Sequence, residues 1–337
     1  MRIGKNPQKF QFVKENKYNH LILIPIYIPH NKGYYLESFE ILQYCLESLI
    51  KTIHSKTFIA VVNNGSCTEV IQYLNNLLND KLIHEAIHTF NIGKINSIIK
   101  GLAGHDFDLV TISDADIFFQ NNWQKETVKV FNEFPKTGVV GIIPQLKMFS
   151  YCCENILFDK FWSNHLKFVN VLNPKGIKHF CRSIGWDDSY NKNYLKKHLI
   201  IESKNGFRAL LGTGHAVSTY RFEIFKKINF KTNDYKLGGE IELDQSSLKF
   251  DTWRLTTEDN YAYHMGNTKE VWMHKEIRNL NTSSKDTLKV NYVYKLERKK
   301  LAYFFKYRIF RKILKNPYIY RFLLKKKGLP IQFIKHF

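Results

Sequence analysis

The stretch HLILIPIYI, His20–Ile28, decides how the rest of the chain is read. It is a short, nearly continuous apolar run, the pattern of a strand buried on both faces. Working outward, Leu36–Ile53 carries Phe39, Leu42, Leu46, Leu49 and Ile50 on one side, which predicts an amphipathic helix. TFIAVV, Thr57–Val62, is a second buried strand, stopped by Asn63-Asn64-Gly65-Ser66. Thr68–Leu78 and Ile92–Leu102 read as helices, and LVTI, Leu109–Ile112, as a third strand. Strands alternating with helices predict an α/β fold with a mostly parallel sheet and right-handed crossovers. Ligands of such sheets bind at the carboxyl ends of the strands. Three polar clusters fall at that edge: Asn63 to Ser66, Asn91-Ile92-Gly93-Lys94, and Ser113-Asp114-Ala115-Asp116.

Composition limits the alternatives. The 337 residues include 51 Lys+Arg against 30 Asp+Glu, a formal charge of +21, with 44% hydrophobic and 24% charged residues. These proportions exclude disordered, collagenous and disulfide-scaffold chains and allow a full α/β core. The longest strongly apolar stretch, Leu21–Pro29, contains two prolines; a membrane-spanning helix needs about 20 apolar residues. The N-terminal MRIGKNPQKFQFVKENK has no apolar core, so no secretory signal and a cytosolic location are expected. Cys45, Cys67, Cys152, Cys153 and Cys181 are odd in number with two adjacent, which indicates neither a disulfide framework nor a CxxC metal site. They are expected to be reduced and mostly buried.

The positive charge is concentrated at one end. Tyr294–Phe337 holds 14 Lys/Arg and one acid, Glu297, leaving +8 for the first 293 residues. Such segregation points to an anionic partner, either a membrane or nucleic acid. On a helix from Leu301 to Lys315, Leu301, Phe305, Ile309 and Ile313 recur at spacing four, and Arg308, Arg311, Lys312 and Lys315 form a face of their own. That is the build of an interfacial amphipathic helix, and its rival is an apolar face packed on the domain. Pro317 is expected to end it. No RNP-like, KH or zinc-knuckle pattern accompanies the aromatics, so nucleic acid is the weaker partner.

The Asp114-x-Asp116 pair is the sharpest chemical signal. Two carboxylates two residues apart, just past a buried strand, repel unless a cation lies between them. A divalent ion that keeps room for phosphate oxygens satisfies them; the competing reading is a helix cap or Asx-turn.

The order of motifs resembles the family 2 glycosyltransferases of GT-A fold. A pattern like VSVVIPxYN is matched by LILIPIYIPHN at Leu21–Asn31, and the Asp-Asp-Gly-Ser type loop by Asn63-Asn64-Gly65-Ser66. NIGKINSIIKG at Asn91–Gly101 and TISDADIFF follow in order, then LGTGHAVSTYRFEIFKKI at Leu211–Ile228. Gly238-Gly239-Glu240-Ile241-Glu242-Leu243-Asp244 and His264-Met265-Gly266 complete the set. The resemblance implies a GT-A domain over residues 1–290, with a nucleotide-sugar-binding half at 20–150 and an acceptor-side half at 151–290. A basic amphipathic tail occupies 291–337.

What the resemblance implies for chemistry is an inverting transfer of a sugar from a nucleotide sugar to a hydroxyl of a glycan or lipid-linked acceptor. Asp116 is expected to bind the metal, with Asp114 beside it or turned to the ribose, and His264 as a third ligand. This mixed shell suits Mn²⁺ as well as Mg²⁺. Pro25, Tyr27, Asn63, Asn64, Asn91, Gly93 and Lys94 are expected at the donor site. Asn63 and Asn64 stand where the family often has acids, and an amide can still hydrogen-bond a pyrimidine edge. The base is expected to be Asp244 or Glu242, with Glu240 a third choice, although acids alternating with Ile241 and Leu243 depart from the usual Glu-Asp pair. Met148–Gly206 matches no motif and is expected to hold the acceptor-side loop. Enzymes of this resemblance often build lipid-linked or cell-surface glycans, which places the protein peripherally on the inner face of the membrane. Two other classes remain: a basic nucleic-acid-binding protein, and an aspartyl-phosphatase-like Mg²⁺ enzyme, whose Asp-x-Asp usually lies on the first strand.

Overall fold

Alternate residues of β1 (His20–Ile26) feed two separate cores, as expected for a strand covered on both faces. Ile22, Ile24 and Ile26 pack with Leu42 and Leu46 of α1 (Ser38–Thr52) and with Val70 and Leu74 of α2 (Thr68–Asn79). Leu21 and Leu23 pack on the other face with Ile95 and Ile98 of α3 (Lys94–Leu102). The computed structural model describes residues 4–11, 17–187, 189–228, 232, 234–281, 288–291 and 294–337.

The remaining strands are β2 (Thr57–Asn64), β3 (Glu85–Thr89), β4 (Leu109–Ser113), β5 (Ile117–Phe119), β6 (Thr137–Gly141) and β7 (Leu166–Asn170), followed by β8 (Lys197–Glu202), β9 (Arg208–Leu211), β10 (Val217–Arg221), β11 (Trp253–Thr257) and β12 (Ala262–His264). Ten of them form one sheet in the order β3-β2-β1-β4-β10-β6-β11-β9-β8-β7, and β5 pairs with β12 apart from it. Seven strands run one way; only β10, β9 and β7 oppose them. The sheet is therefore mostly parallel by strand direction, in a mixed α/β fold. Residues 20–150 and 151–290 share this sheet, since β10 lies between β4 and β6.

The other helices are α4 (Trp123–Glu133), α5 (Glu154–Asp159), α6 (Pro174–Ser183), α7 (Glu223–Lys227), α8 (Ile241–Lys249) and α9 (Val271–Asn279). Met148–Gly206 is not one long loop: it supplies α5, β7, α6 and β8.

The basic tail packs on this frame. Its helical turns run through α10 (Lys300–Tyr303), a π-helical segment (Phe304–Phe310) and α11 (Arg311–Leu314). Pro317 does not merely stop this run but opens the next helix, α12 (Pro317–Lys326), where its missing N–H costs nothing. Asn316 caps that helix by accepting from the amides of Tyr318 (2.9 Å) and Ile319 (3.3 Å). A last short turn, α13, spans Ile331–Ile334. Phe310, Leu323, Leu324, Leu329 and Phe337 enter the core formed by β7, β8 and α5. Lys306 turns inward between Asp159 (2.5 Å) and Asp251 (2.9 Å), which Lys136 bridges from the other side. Among the described residues, no helix is long and apolar enough to cross a membrane.

Candidate functional site

A cleft of about 860 Å³ opens at the carboxyl ends of β1, β2 and β4. Pro25, Tyr27, Asn64, Asn91, Lys94, Asp114, Asp116 and His264 all line it. Residues predicted from five separate motifs thus meet in one place.

Two glycines make the close approaches possible. Gly65 has φ +89°, and a Cβ there would lie 2.9 Å from the Asn91 nitrogen. Gly93, also at φ +89°, would bring a Cβ to 2.5 Å from the carbonyl oxygen of Tyr235. Only glycine adopts this conformation with so little space. The Lys94 amide then donates to the carbonyl of Lys236 (3.0 Å), drawing Lys236 and Leu237 to the cleft wall.

The Asn63-Asn64 expectation changes. Asn63 does not line the cleft; its amide contacts His88 Nδ1 at 3.0 Å and accepts from the Ser66 amide at 2.9 Å. Asn64 reaches the wall, but its oxygen accepts from the Ile92 amide (2.8 Å) and its nitrogen donates to Asn91 Oδ1 (3.2 Å). Both side chains hold the β2 loop together rather than offering an edge to a base. Gly93 lies behind the wall, and its amide donates to Asn91 Oδ1 at 3.1 Å.

Asp114 is not a free ligand either. Its carboxylate pairs with Lys94 at 2.5 Å, and Lys94 also lies 3.7 Å from Glu240. Burial opposes the charge on Lys94, yet Asp114 and Glu240 outweigh it and raise the lysine's pKa. Lys94 is thus a fixed cation in the cleft.

Asp116 and His264 come together, with Asp116 Oδ2 3.3 Å from His264 Nε2. Burial pushes the Asp116 carboxyl above its usual range; His264 offsets part of this, and Asp114 adds to it. The hydrogen bonding fixes the His264 tautomer. Ser183 Oγ donates to the Phe180 carbonyl at 2.8 Å, so its one hydrogen is used. It can then only accept from His264 Nδ1, 3.0 Å away. A neutral His264 therefore turns the lone pair of Nε2 toward a carboxylate oxygen. Two acceptors face one another, and the other Asp116 oxygen, Oδ1, is buried with no partner among the described residues. A cation or a proton must satisfy them. A hydroxyl that accepts from the far ring nitrogen, as Ser183 does here, is the arrangement that orients a metal-binding imidazole. The residues thus fit a divalent ion held by Asp116 and His264, with phosphate oxygens completing its shell. The expected three-residue set is corrected on one point: among the described residues no three acid, histidine or cysteine side chains gather as a metal site.

Neither expected base lines the cleft. Asp244, 1% exposed in the first turn of α8, is paired with the fully buried Arg254 at 2.7 Å. It also accepts from His215 Nδ1 at 3.2 Å. Burial favours its neutral form, but the His215 hydrogen bond and the Arg254 charge outweigh this and lower its pKa. A carboxylate so held is a poor proton acceptor. Glu242 is half-buried on α8. His215, with its side chain 48% exposed, precedes Ala216, whose carbonyl accepts from the Asp114 amide at 2.8 Å.

Sequence reasoning missed several cleft residues. Tyr34 and Tyr35 form an aromatic wall with Tyr27, their rings 5.1 and 5.9 Å from neighbouring rings. Ser183 arrives at the end of α6, whose start is set by Asn173 capping the Gly176 amide at 2.9 Å. The pattern GYY at Gly33–Tyr35 was the only signal for the first two, and nothing local announces Ser183.

The family model of Glycosyl transferase family 2 matches residues 30–183, which contain Asn91, Lys94, Asp114, Asp116 and Ser183. No curated protein matches the chain. Among solved structures, S. aureus TarS 1-349 in complex with UDP-GlcNAc is 14% identical, with 76% of this chain and 60% of that one covered at a TM-score of 0.45. GalNAc-T7 with UDP, GalNAc and Mn²⁺ is 11% identical over 76% of this chain and 46% of that one, TM-score 0.47. The mannosyltransferase PcManGT from Pyrobaculum calidifontis, in complex with GDP-Man and Mn²⁺, is 11% identical over 94% and 75%, TM-score 0.46. The chain spans less than two thirds of the length of the TarS 1-349 structures. Over residues 30–183, a little under half of its length, the chain is thus similar to glycosyl transferase family 2.

Proposed function

We propose that this protein is an inverting glycosyltransferase that moves a sugar from a nucleoside diphosphate donor to a hydroxyl of a glycan or lipid-linked acceptor. The observation that carries the reading is the meeting of Tyr27, Lys94, Asp114, Asp116 and His264 in one cleft of a chain similar to family 2. The aromatic wall of Tyr27, Tyr34 and Tyr35 suits a flat base. Lys94 neutralises diphosphate charge as the glycosidic C–O bond breaks and its electron pair leaves with the phosphate. Asp116 and His264 hold a divalent cation, which when bound stabilises the same developing charge.

His215, which like Asp244 and Glu242 stands outside the residues that line the cleft, takes the proton of the incoming hydroxyl on Nε2. Asp244 accepts from its Nδ1–H, fixing the tautomer, and Arg254 keeps Asp244 ionised. This differs from the expected bases by one step: Asp244 positions the base instead of being it. The acceptor is approached from this side, where α8 begins.

The test is turnover with a panel of nucleotide sugars and Mn²⁺, read as nucleoside diphosphate release. His215→Gln should lower kcat by about 10²–10⁴ while leaving donor affinity near wild type. Glu242→Gln should retain most turnover. If His215→Gln is fully active and Glu242→Gln is not, the base is Glu242.

A further inference from the structure

The helical run from Lys300 to Leu314 has two apolar faces, and only one of them is covered. Tyr307 and Phe310 point inward, where the Tyr307 hydroxyl accepts from Gln245 at 2.9 Å and Phe310 packs on Phe158 at 5.2 Å. The stripe at spacing four faces out: Leu301 is 75% exposed, Phe305 52% and Ile313 42%. Phe304 and Ile309 lie on the same outer side. Isolated exposed apolar residues need no explanation, but a contiguous row on one helix marks a contact surface.

What the row contacts is decided by its borders. Arg308, Lys312 and Lys315 are exposed beside it, and from Arg298 to Phe337 the sequence contains no Asp or Glu. Phe322 and Tyr318 on α12 are exposed too, next to Arg321 and Lys325. A protein partner of ordinary charge does not require this one-sided composition, and nucleic acid does not require the aliphatic ridge. An anionic lipid surface uses both at once, with apolar side chains inserted at the headgroup boundary and cations among the headgroups.

We infer that the outer face of Lys300–Lys315, extended by Tyr318 and Phe322, docks the protein on an anionic bilayer. The inner face is already spent on the domain, so docking needs no rearrangement of the fold. The Gln245–Tyr307 hydrogen bond ties the docked helix to α8, one residue from Asp244. The proposal stands on surface geometry and does not depend on the reaction assigned to the cleft.

The experiment is co-sedimentation of the full chain with phosphatidylcholine/phosphatidylglycerol vesicles and with phosphatidylcholine vesicles alone. Binding to the anionic vesicles is expected, weakening as salt rises. Phe305→Ser with Ile309→Ser should bind at least about tenfold more weakly. Arg308→Glu with Lys312→Glu should lose comparable affinity and nearly all salt dependence. Both double variants should melt near the wild-type temperature, because their side chains face solvent. Failure of the intact chain to bind anionic vesicles at low salt overturns the inference. So does wild-type binding by the Phe305/Ile309 variant, or a duplex RNA that binds where the vesicles do not.

Discussion

Asp116→Asn should reduce glycosyl transfer by about 10²–10³-fold while leaving the fold intact. The substitution keeps the shape of the side chain and removes the charge facing His264 Nε2 at 3.3 Å. The local backbone is held elsewhere, by the Met265 amide donating to the Asp116 carbonyl at 2.8 Å. An amide NH₂ in that place can satisfy the imidazole lone pair directly, so the need for a cation disappears together with its site. Loss of transition-state charge stabilisation at a leaving phosphate is worth about 3–4 kcal/mol on the scale of comparable electrostatic deletions. Donor binding by the variant should be indifferent to chelator. An Asp116→Asn protein with wild-type turnover removes the cation from the account.

The second large effect falls on stability. Ending the chain after Arg298 should leave an aggregating or unfolded protein. Truncation strips Phe310, Leu323, Leu324, Leu329 and Phe337 from a core they share with Phe149, Phe168 and Leu199. It also removes Lys306 from Asp159 and Asp251, leaving a half-buried and a buried carboxylate with Lys136 alone. A milder variant isolates the packing: Leu324→Ala should cost about 2–5 kcal/mol in urea unfolding, because its side chain is fully enclosed. A truncated chain that melts like the intact one shows the tail to be dispensable.

Much of the fold was legible because its central strands are buried on both faces. HLILIPI, TFIAVVNN and LVTIS leave no polar alternative, and each is a strand within a residue or two of its predicted limits. EAIHT, Glu85–Thr89, escaped notice as a strand because it lies at the sheet edge, only half-covered, and carries no apolar run. The cleft was legible where chemistry forces a choice, as at Asp116, Lys94 and His264. It was not legible where the direction of a side chain decides. Asn63 and Asn64 read as donors and acceptors for a base, but backbone amides of their own loop reach them first. Asp244 read as a base because Arg254, ten residues away on β11, and His215 are brought to it only by the fold. In the tail, the residues at spacing four turned outward because Tyr307, Phe310 and Leu314 offered a second apolar face, and Lys306 had two carboxylates waiting inside.

The proposed reaction requires the cleft to bind a nucleoside diphosphate sugar through Lys94 and a divalent cation. Titration calorimetry of the intact protein with UDP- and GDP-sugars, in Mn²⁺ and then in excess chelator, measures this binding. Saturable binding of at least one donor in Mn²⁺, weakened about tenfold or more by chelator and by Lys94→Met, is the predicted result. No binding of any nucleotide sugar in Mn²⁺, or binding untouched by both changes, would contradict it.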